Sequence, residues 1–162
     1  MDSLDYIISM IRPGDFFISI DISDAYYSIA MNIISTPYLT FKFLHIYYQF
    51  MCLPQGLTSA PRIFTRILRV VMTFLRAQSF RIAAWLDDLL LVASTFALAS
   101  SQAASTLNTL ESLGFIPNYE KSVLTPSQKI LHLGLVWDSI SYTVSVPPEK
   151  LKDVKVKYKI AS

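Results

Sequence analysis

The chain has 162 residues, of which 52% are hydrophobic, and its formal net charge at pH 7 is +2. This length and apolar content predict one globular domain with a substantial core and exclude an intrinsically disordered chain. A single cysteine and two histidines exclude an internal disulfide bond and a zinc site built from Cys or His, so any bound metal would need oxygen ligands, which magnesium and manganese prefer.

The chain begins with MDSLD, which is acidic where a secretory signal would be basic. We therefore expect an intracellular protein, cytoplasmic or nuclear, and not a secreted one. The uncharged run from Leu89 to Leu110 is long enough to span a membrane, but it is rich in Ser and Thr. We interpret this run as the end of a strand followed by a surface helix, and we expect no membrane partner.

The first clear element is a β-strand over DFFISIDIS, in which apolar and polar positions alternate. Pro13 and Gly14 provide a turn before it. Asp21 lies at the C-terminal end of this strand and faces away from its apolar side. The segments YLTFKF and IYYQFMCL predict another pair of strands. The apolar side of the first strand comprises Phe16, Ile18, Ile20 and Ile22.

The strongest helix signal is TSAPRIFTRILRVVMTFLRA, where apolar residues recur at helical spacing. Thr58 or Ser59 can cap this helix, and Pro61 lies in its first turn. Arginines occupy much of the remaining surface, and they form either a solvated basic face or a face near a phosphate backbone. These arginines are Arg62, Arg66, Arg69 and Arg76.

The stretch AAWLDDLLLV then places two adjacent carboxylates, Asp87 and Asp88, inside an apolar run. An ionised carboxylate that is buried without a partner is strongly destabilising. The pair could form the tip of an ordinary hairpin, because Asp is a turn residue. However, tight hairpins favour Asn-Gly or Asp-Gly, and local rules are often broken where function demands it. A metal site is therefore the alternative interpretation.

A helix from about Phe96 to Leu113 follows, and Gly114 is well placed to end it. The segments HLGLVWDS and SYTVSVP predict a final hairpin. This order of elements predicts an α+β fold in which an antiparallel sheet carries helices packed on one face, of the split βαβ or ferredoxin-like kind.

Asp21, Asp87 and Asp88 each lie at or near the end of a predicted strand. Magnesium needs few protein ligands, typically one or two carboxylates together with substrate phosphates and water. Two metal ions about 4 Å apart can hold the attacking and leaving oxygens of an in-line phosphoryl displacement. The three carboxylates together would suit such a site.

Five segments resemble, in order and spacing, the successive motifs A to E of the reverse transcriptase palm: SIDISDAYYSI, LPQGLTSAPRIF, WLDDLLL, LGFIPNYEKS and LHLGLVWDS. The resemblance covers nearly the whole chain, from about Ile11 to Pro148. IRPGDFFISIDISDAYYSI and SAPRIFTR most resemble the DIRS-type retrotransposons, which carry a tyrosine recombinase, and gypsy-type elements and pararetroviruses come next. The resemblance implies a polymerase palm fold and an RNA-directed DNA polymerase, which transfers nucleotides from dNTPs to a primer 3′-hydroxyl.

The resemblance also implies roles for single residues. Asp21 and Asp87 would bind two Mg²⁺ ions, with Mn²⁺ as a possible substitute, and Asp88 would support the site. Tyr26 occupies the steric-gate position, where an aromatic ring excludes a 2′-hydroxyl. The alternative is that Tyr26 is a core residue, since Tyr27 beside it could take either role.

Gln55 and Gly56 fall where the family contacts the incoming nucleotide and the template, although Gly56 could be a plain turn glycine. Lys121 matches the lysine proposed as the general acid toward departing pyrophosphate, and a surface lysine is the alternative. Leu133 and Gly134 lie in the hairpin that resembles the primer grip. The implied partners are an RNA or DNA template, a primer and dNTPs.

The sequence departs from the family pattern in several places. Trp85 stands where a Tyr usually precedes the acidic pair, and His132 stands where Phe is common. No segment before Ile11 resembles the fingers, and residues 149–162 resemble only the opening of a thumb helix. We therefore expect a palm over residues 1–148, followed by the start of the thumb or a divergent tail, from a polyprotein that also holds fingers, thumb and RNase H. A catalytically inactive retrotransposon remnant that at most binds nucleic acid is the alternative.

Overall fold

A computed structural model describes residues 1–148; residues 149–162, where the sequence predicts the start of a thumb or a tail, lie outside the described residues. The helices are α1 (Leu4–Met10), α2 (Ala60–Ala77) and α3 (Phe96–Ser112), with short 3₁₀ turns at Ala25–Ser28 and Thr36–Leu39. The strands are β1 (Phe16–Ser23), β2 (Thr40–Phe43), β3 (Ile46–Gln49), β4 (Arg81–Trp85), β5 (Asp88–Ala93), β6 (Ile116–Pro117), β7 (Val123–Ser127), β8 (Lys129–His132), β9 (Leu135–Asp138) and β10 (Thr143–Ser145).

The strands form antiparallel sheets, as predicted. The central sheet has the order β4-β5-β1-β6, and β7 also pairs with β1. Strands β8, β9 and β10 form a second sheet, and β2 pairs with β3 in a separate hairpin. Strand β1 therefore runs through the middle of the molecule and brings its C-terminal end next to β5 and β6.

Helices α2 and α3 cover one face of the central sheet, as predicted, where Ile18, Ile20 and Ile22 of β1 pack against them. The other face is covered by α1 and by the sheet of β8 and β9, which enclose Phe17 and Trp137. Because of this second layer, β1 is buried on both faces, whereas the alternating pattern alone predicts one buried face. Burying a side chain such as Phe17 contributes roughly 1.5–3 kcal/mol to folding.

Helix α1 was not predicted from the sequence. Its N-terminus is capped by Ser3, whose hydroxyl accepts a hydrogen bond from the Tyr6 backbone N–H at 3.1 Å. Only Ile7 and Met10 are buried along its seven residues. A helix this short gives too few turns for a clear periodic signal, and its stability comes from packing on the β1 face that the helix covers.

Local signals set the boundaries of α3 closely. Thr95 accepts a hydrogen bond from the Leu98 backbone N–H at 3.2 Å, and the helix ends at Ser112. Gly114 follows with a φ of +85°, a left-handed conformation that glycine adopts without strain. The predicted helix and its terminating glycine are both confirmed.

No helix in the described part of the chain has the length and apolar content needed to cross a bilayer.

A buried ion pair ties β4 to the segment before β1. Asp15 is only 2% exposed, and both of its carboxylate oxygens accept hydrogen bonds from the Arg81 guanidinium. The Arg12 backbone N–H donates a further bond to Asp15 at 2.6 Å, and Arg81 also donates to the Met10 carbonyl at 2.8 Å. This bidentate pair therefore links the end of α1, the start of β1 and the start of β4.

His132 of β8 is a buried polar residue that faces β1. Its Nδ1 lies 3.3 Å from the Ser19 hydroxyl, and its backbone carbonyl accepts a bond from the Trp137 indole N–H at 3.1 Å. Burial lowers the pKa of His132 from 6.5 to about 4. The neutral imidazole is therefore the form that the folded protein favours.

We expect acid to destabilise the protein through His132. Between pH 6.5 and pH 4 the unfolded chain binds a proton at this residue and the folded chain does not, so the free energy of unfolding should fall by about 2–3 kcal/mol between pH 7 and pH 4.5. His132→Phe should lose less stability over the same interval. Urea unfolding of both proteins at the two pH values measures this difference, and equal losses would show that another group is responsible.

Candidate active site

Asp21 and Asp88 face each other across neighbouring strands. In the antiparallel pair of β1 and β5, Asp21 lies directly opposite Asp88. Residues in such positions point to the same face of the sheet, with Cβ atoms about 4.5–5.5 Å apart. Two half-buried carboxylates therefore share one face at the end of the central sheet.

The hairpin between β4 and β5 carries the third carboxylate. Trp85 pairs with Asp88, so the tip of this hairpin consists of Leu86 and Asp87, and not of Asp87 and Asp88 as the acidic pair suggests. Leu86 has a φ of +54°, which is uncommon for a residue other than glycine. The Asp87 carbonyl accepts a hydrogen bond from the Ile22 N–H at 3.0 Å. This bond holds the tip against the end of β1.

Asp88 lies within electrostatic reach of Asp87 and Asp21. The pKa of Asp88 is raised, first by burial and then by the negative charges of Asp87 and Asp21, while Lys121 acts in the opposite direction. Within residues 1–148, no three His, Cys, Asp or Glu side chains already converge as a metal-binding cluster. The donor set nevertheless fits Mg²⁺, which takes oxygen ligands and completes its shell with water and substrate phosphates.

Lys121 lies on the loop between β6 and β7, and this loop is fastened to β1. The Asn118 backbone N–H donates to the Asp21 carbonyl at 2.8 Å, and the Asp21 N–H donates to the Ser122 hydroxyl at 3.0 Å. Asn118 also uses its side-chain oxygen to accept from the Lys121 N–H at 3.2 Å. The loop thus holds the Lys121 charge within electrostatic reach of Asp88. Asn118 and Ser122 were not predicted, and the only signal for them was the turn preference of Asn.

Tyr26 lies just after β1, between the core and the carboxylates. Its ring packs edge-on against Phe64, with ring centroids 5.5 Å apart. The pKa of the Tyr26 hydroxyl is raised by burial and by the charge of Asp87. Tyr27 is exposed and stacks on Phe50, with centroids 6.5 Å apart and an interplanar angle of 9°. Tyr26 is thus a partly buried residue that packs against the core and lies near the acidic turn.

Gln55 and Gly56 are exposed in the loop before α2. Gly56 has a φ of +89°, and no atom of the described chain lies within 4 Å of the position that a Cβ would take. A glycine is therefore favoured by the backbone conformation and not by a close neighbour in the described chain. The assigned roles of Gln55 and Gly56 in contacting the nucleotide and template remain predictions.

Leu133 and Gly134 form the tip of the hairpin between β8 and β9, with φ values of +51° and +74°. Positive φ at both positions is the pattern of a type I′ turn. Leu133 and Trp85 line the same groove, of about 300 Å³, together with Leu4 and Leu135. This hairpin and the acidic hairpin of β4 and β5 thus border one groove.

Comparisons with known proteins indicate a family and a fold for this chain. A family model described as "Reverse transcriptase (RNA-dependent DNA polymerase)" matches residues 6–137. A comparison with curated proteins gives no significant match.

Three solved structures of the foamy viral protease-reverse transcriptase resemble the whole chain. The one in complex with RNA/DNA hybrid has a TM-score of 0.80 at 17% identity, and this chain covers 21% of it. The dRH form in complex with double-stranded DNA has a TM-score of 0.85 at 18% identity, with 27% covered. A further double-stranded DNA complex has a TM-score of 0.84 at 18% identity, with 32% covered. The chain thus spans about a fifth to a third of each matched chain, and the likeness shows a shared polymerase palm fold.

Proposed function

The chain belongs to the reverse transcriptase (RNA-dependent DNA polymerase) family, and on that premise we propose that residues 1–148 form the palm of an RNA-directed DNA polymerase. In the proposed reaction the primer 3′-hydroxyl attacks the α-phosphorus of a dNTP, and the bond to pyrophosphate breaks. The observation that supports this most is the placement of Asp21, Asp87 and Asp88 at the same end of the central sheet.

The three carboxylates would together form the site for the metal ions. Asp21 and Asp87 would bind two Mg²⁺ ions, or Mn²⁺ in their place, and Asp88 would support them. The ions would polarise the phosphoryl oxygens and lower the pKa of the attacking hydroxyl. The pairing of Asp21 with Asp88, and the hydrogen bond from the Ile22 N–H to the Asp87 carbonyl, position the backbone that carries the carboxylates.

Lys121 would act on the leaving group. Its ammonium would donate a proton to the departing pyrophosphate. The effect of Lys121 on Asp88 and the anchoring of its loop to Asp21 support this role.

Tyr26 would select the sugar of the incoming nucleotide. We expect Tyr26→Ala to raise ribonucleotide incorporation relative to deoxyribonucleotide by about tenfold or more, because loss of the ring opens room for the 2′-hydroxyl. The measurement is the ratio of kcat/KM values for the two nucleotides. Tyr27→Ala is the matched control, since it removes a neighbouring ring that stacks on Phe50. If Tyr27→Ala changes this ratio of kcat/KM values and Tyr26→Ala does not, the steric gate is Tyr27 and not Tyr26.

The remaining contacts would place the nucleic acid. Gln55 and Gly56 would meet the incoming nucleotide and template, and Leu133 and Gly134 would position the primer end in the groove shared with Trp85. The solved relatives are bound to RNA/DNA hybrid or double-stranded DNA, which supports a template and primer as partners here. The motif resemblance supports an intracellular polyprotein of a DIRS-type element that also supplies fingers, thumb and RNase H.

The proposal is tested by extending a DNA primer on an RNA template with dNTPs and Mg²⁺. We expect the chain joined to the fingers and thumb of a related element to synthesise DNA, and the 162 residues alone to do so poorly or not at all. The palm provides only part of the positioning and charge stabilisation that the reaction needs. Inactivity of the joined protein, with its fold intact, would contradict the proposal.

A further inference from the structure

The outer edge of strand β4 is covered by Asp2 and Arg76 and not by another strand. Within residues 1–148, β4 pairs with β5 on one side and lies at the edge of the central sheet on the other. An edge strand presents backbone groups that need partners. Asp2 and Arg76 take up three of these groups, which are the N–H and carbonyl of Ala84 and the carbonyl of Ile82.

Asp2 contacts β4 through both its backbone and its side chain. The Asp2 N–H donates to the Ala84 carbonyl at 3.0 Å, and the Asp2 Oδ2 accepts from the Ala84 N–H at 2.8 Å. The same carboxylate oxygen accepts a hydrogen bond from the Arg76 guanidinium at 2.6 Å. Asp2 thus satisfies both backbone groups of Ala84 and connects β4 to the last turn of α2.

Arg76 is held in one orientation by two further groups. Its Nε and Nη2 donate to the Ile82 carbonyl at 3.0 and 2.8 Å. Its guanidinium also lies over the Tyr6 ring of α1, 4.9 Å from the ring centroid. Because the guanidinium is already fixed, its bond to Asp2 requires little further ordering. We call Asp2, Arg76 and the backbone groups of Ile82 and Ala84 the β4 latch.

The β4 latch lies directly before the acidic hairpin tip. Ala84 is followed by Trp85, which ends β4, and then by Leu86 and Asp87 at the tip. Leu86 has a φ of +54°, a conformation that is strained for a residue other than glycine. Strained backbone persists only where the surrounding structure holds it. The strand that leads into the strained residue is therefore the strand that the latch secures.

The opposite side of the tip has its own anchor. Strand β5 pairs with β1, and the Asp87 carbonyl accepts a hydrogen bond from the Ile22 N–H of β1 at 3.0 Å. In the sheet, β5 separates β1 from β4. The tip is thus held from the β1 side by Ile22 and from the outer side by the β4 latch.

We propose that Asp2 is a positioning residue for catalysis, which acts through Ala84 and Arg76 to hold the hairpin tip that carries Asp87. This inference rests on the proposed function, because it takes Asp87 as a metal ligand. Without the Asp2 carboxylate, the Ala84 N–H and the Arg76 guanidinium lose a shared acceptor, and the end of β4 is free to shift. A displacement of about 1 Å at a reacting group can cost on the order of a hundredfold in rate.

The first test is amide hydrogen exchange in the 162-residue chain, measured by NMR. The Ile22 amide reports on the tip, since it donates to the Asp87 carbonyl across the hairpin from Asp2. The Ser139 amide, which donates to the Gln128 carbonyl, reports on a different part of the fold. We expect Asp2→Ala to speed exchange at Ile22 by about tenfold or more relative to Ser139, because the tip opens locally.

Two control variants separate this effect from loss of charge and from loss of overall stability. Asp5→Ala removes the same charge from an exposed position three residues later. Ala99→Gly lowers stability through helix α3. In both controls the ratio of exchange rates at Ile22 and Ser139 should stay within about twofold of the parent. An unchanged ratio in Asp2→Ala, or an equal change in either control, would overturn the proposal.

The second test is primer extension by the chain joined to fingers and thumb. Asp2→Ala should lower kcat by about tenfold or more and leave the KM for template within about twofold, because the reacting groups are displaced and the template contacts are not. Asp5→Ala and Ala99→Gly should leave kcat within about twofold of the parent. A kcat for Asp2→Ala in that same range, or a change in KM alone, would overturn the positioning role. An inactive parent would overturn the proposed function, whereas exchange at Ile22 measures the β4 latch without any reaction.

Discussion

Asp21→Asn and Asp87→Asn should each abolish primer extension by the chain joined to fingers and thumb, with a loss of at least about a thousandfold in rate, or about 4 kcal/mol of barrier. Each change keeps the size of the side chain and removes the charge that would hold a metal ion. Asp88→Asn should cost less, since Asp88 would support the ions and not hold them directly. Single-turnover incorporation of one dNTP in Mg²⁺ measures all three.

Asp24→Asn is the matched control for these variants. It makes the same change three residues after Asp21, at an exposed position with a φ of +47°, a conformation that Asn tolerates well. Its rate should stay within about threefold of the parent. Activity within about tenfold of the parent for Asp21→Asn or Asp87→Asn, roughly 1.4 kcal/mol, would refute the assignment of the carboxylates.

Breaking the buried pair of Asp15 and Arg81 should cause a much larger loss of stability than breaking an exposed ion pair. Asp15→Asn leaves the Arg81 guanidinium, whose side chain is 23% exposed, without its counter-charge, and we expect the free energy of unfolding to fall by about 2–4 kcal/mol. Urea unfolding at pH 7 measures the loss. Asp15 also accepts a bond from the Arg12 backbone, so the segment before β1 should loosen together with β4.

Lys129→Gln provides the comparison for an exposed pair. Lys129 lies 3.7 Å from Asp138, and its side chain is 67% exposed, so its removal should cost less than about 1 kcal/mol. A cost below about 1 kcal/mol for Asp15→Asn as well would mean that the buried pair does not stabilise the fold.

The parts of the fold that follow from local patterns could be predicted from the sequence. The alternation in β1, the helical stripe in α2 and the glycine after α3 each report on their own segment. Helix α1 could not be predicted, because Ile7 and Met10 are buried by a layer of distant strands. The same layer explains why Phe17 is buried, although it lies on the face of β1 that the alternating pattern does not predict to be buried.

The sequence indicates which three carboxylates form the candidate site, and their role stays a prediction. It does not indicate how the hairpin and the loop around them are arranged. Because Trp85 pairs with Asp88, the hairpin tip consists of Leu86 and Asp87. Strand register depends on contacts between segments, and a local sequence pattern does not reveal these contacts. The hydrogen bonds from Asn118 and to Ser122 depend in the same way on a loop that meets β1 far from it in sequence.

The most direct measurement is binding of a divalent metal to the carboxylates of the chain itself. Mn²⁺ added to the ¹⁵N-labelled protein broadens the amide signals of nearby residues, and it does so even when binding is weak. We predict broadening centred on Asp21, Asp87 and Asp88 that extends to Lys121 and is reversed by excess Mg²⁺, and we predict none in the double variant Asp21→Asn/Asp87→Asn. Broadening centred on another part of the chain, or unchanged in the double variant, would contradict a metal site at these carboxylates.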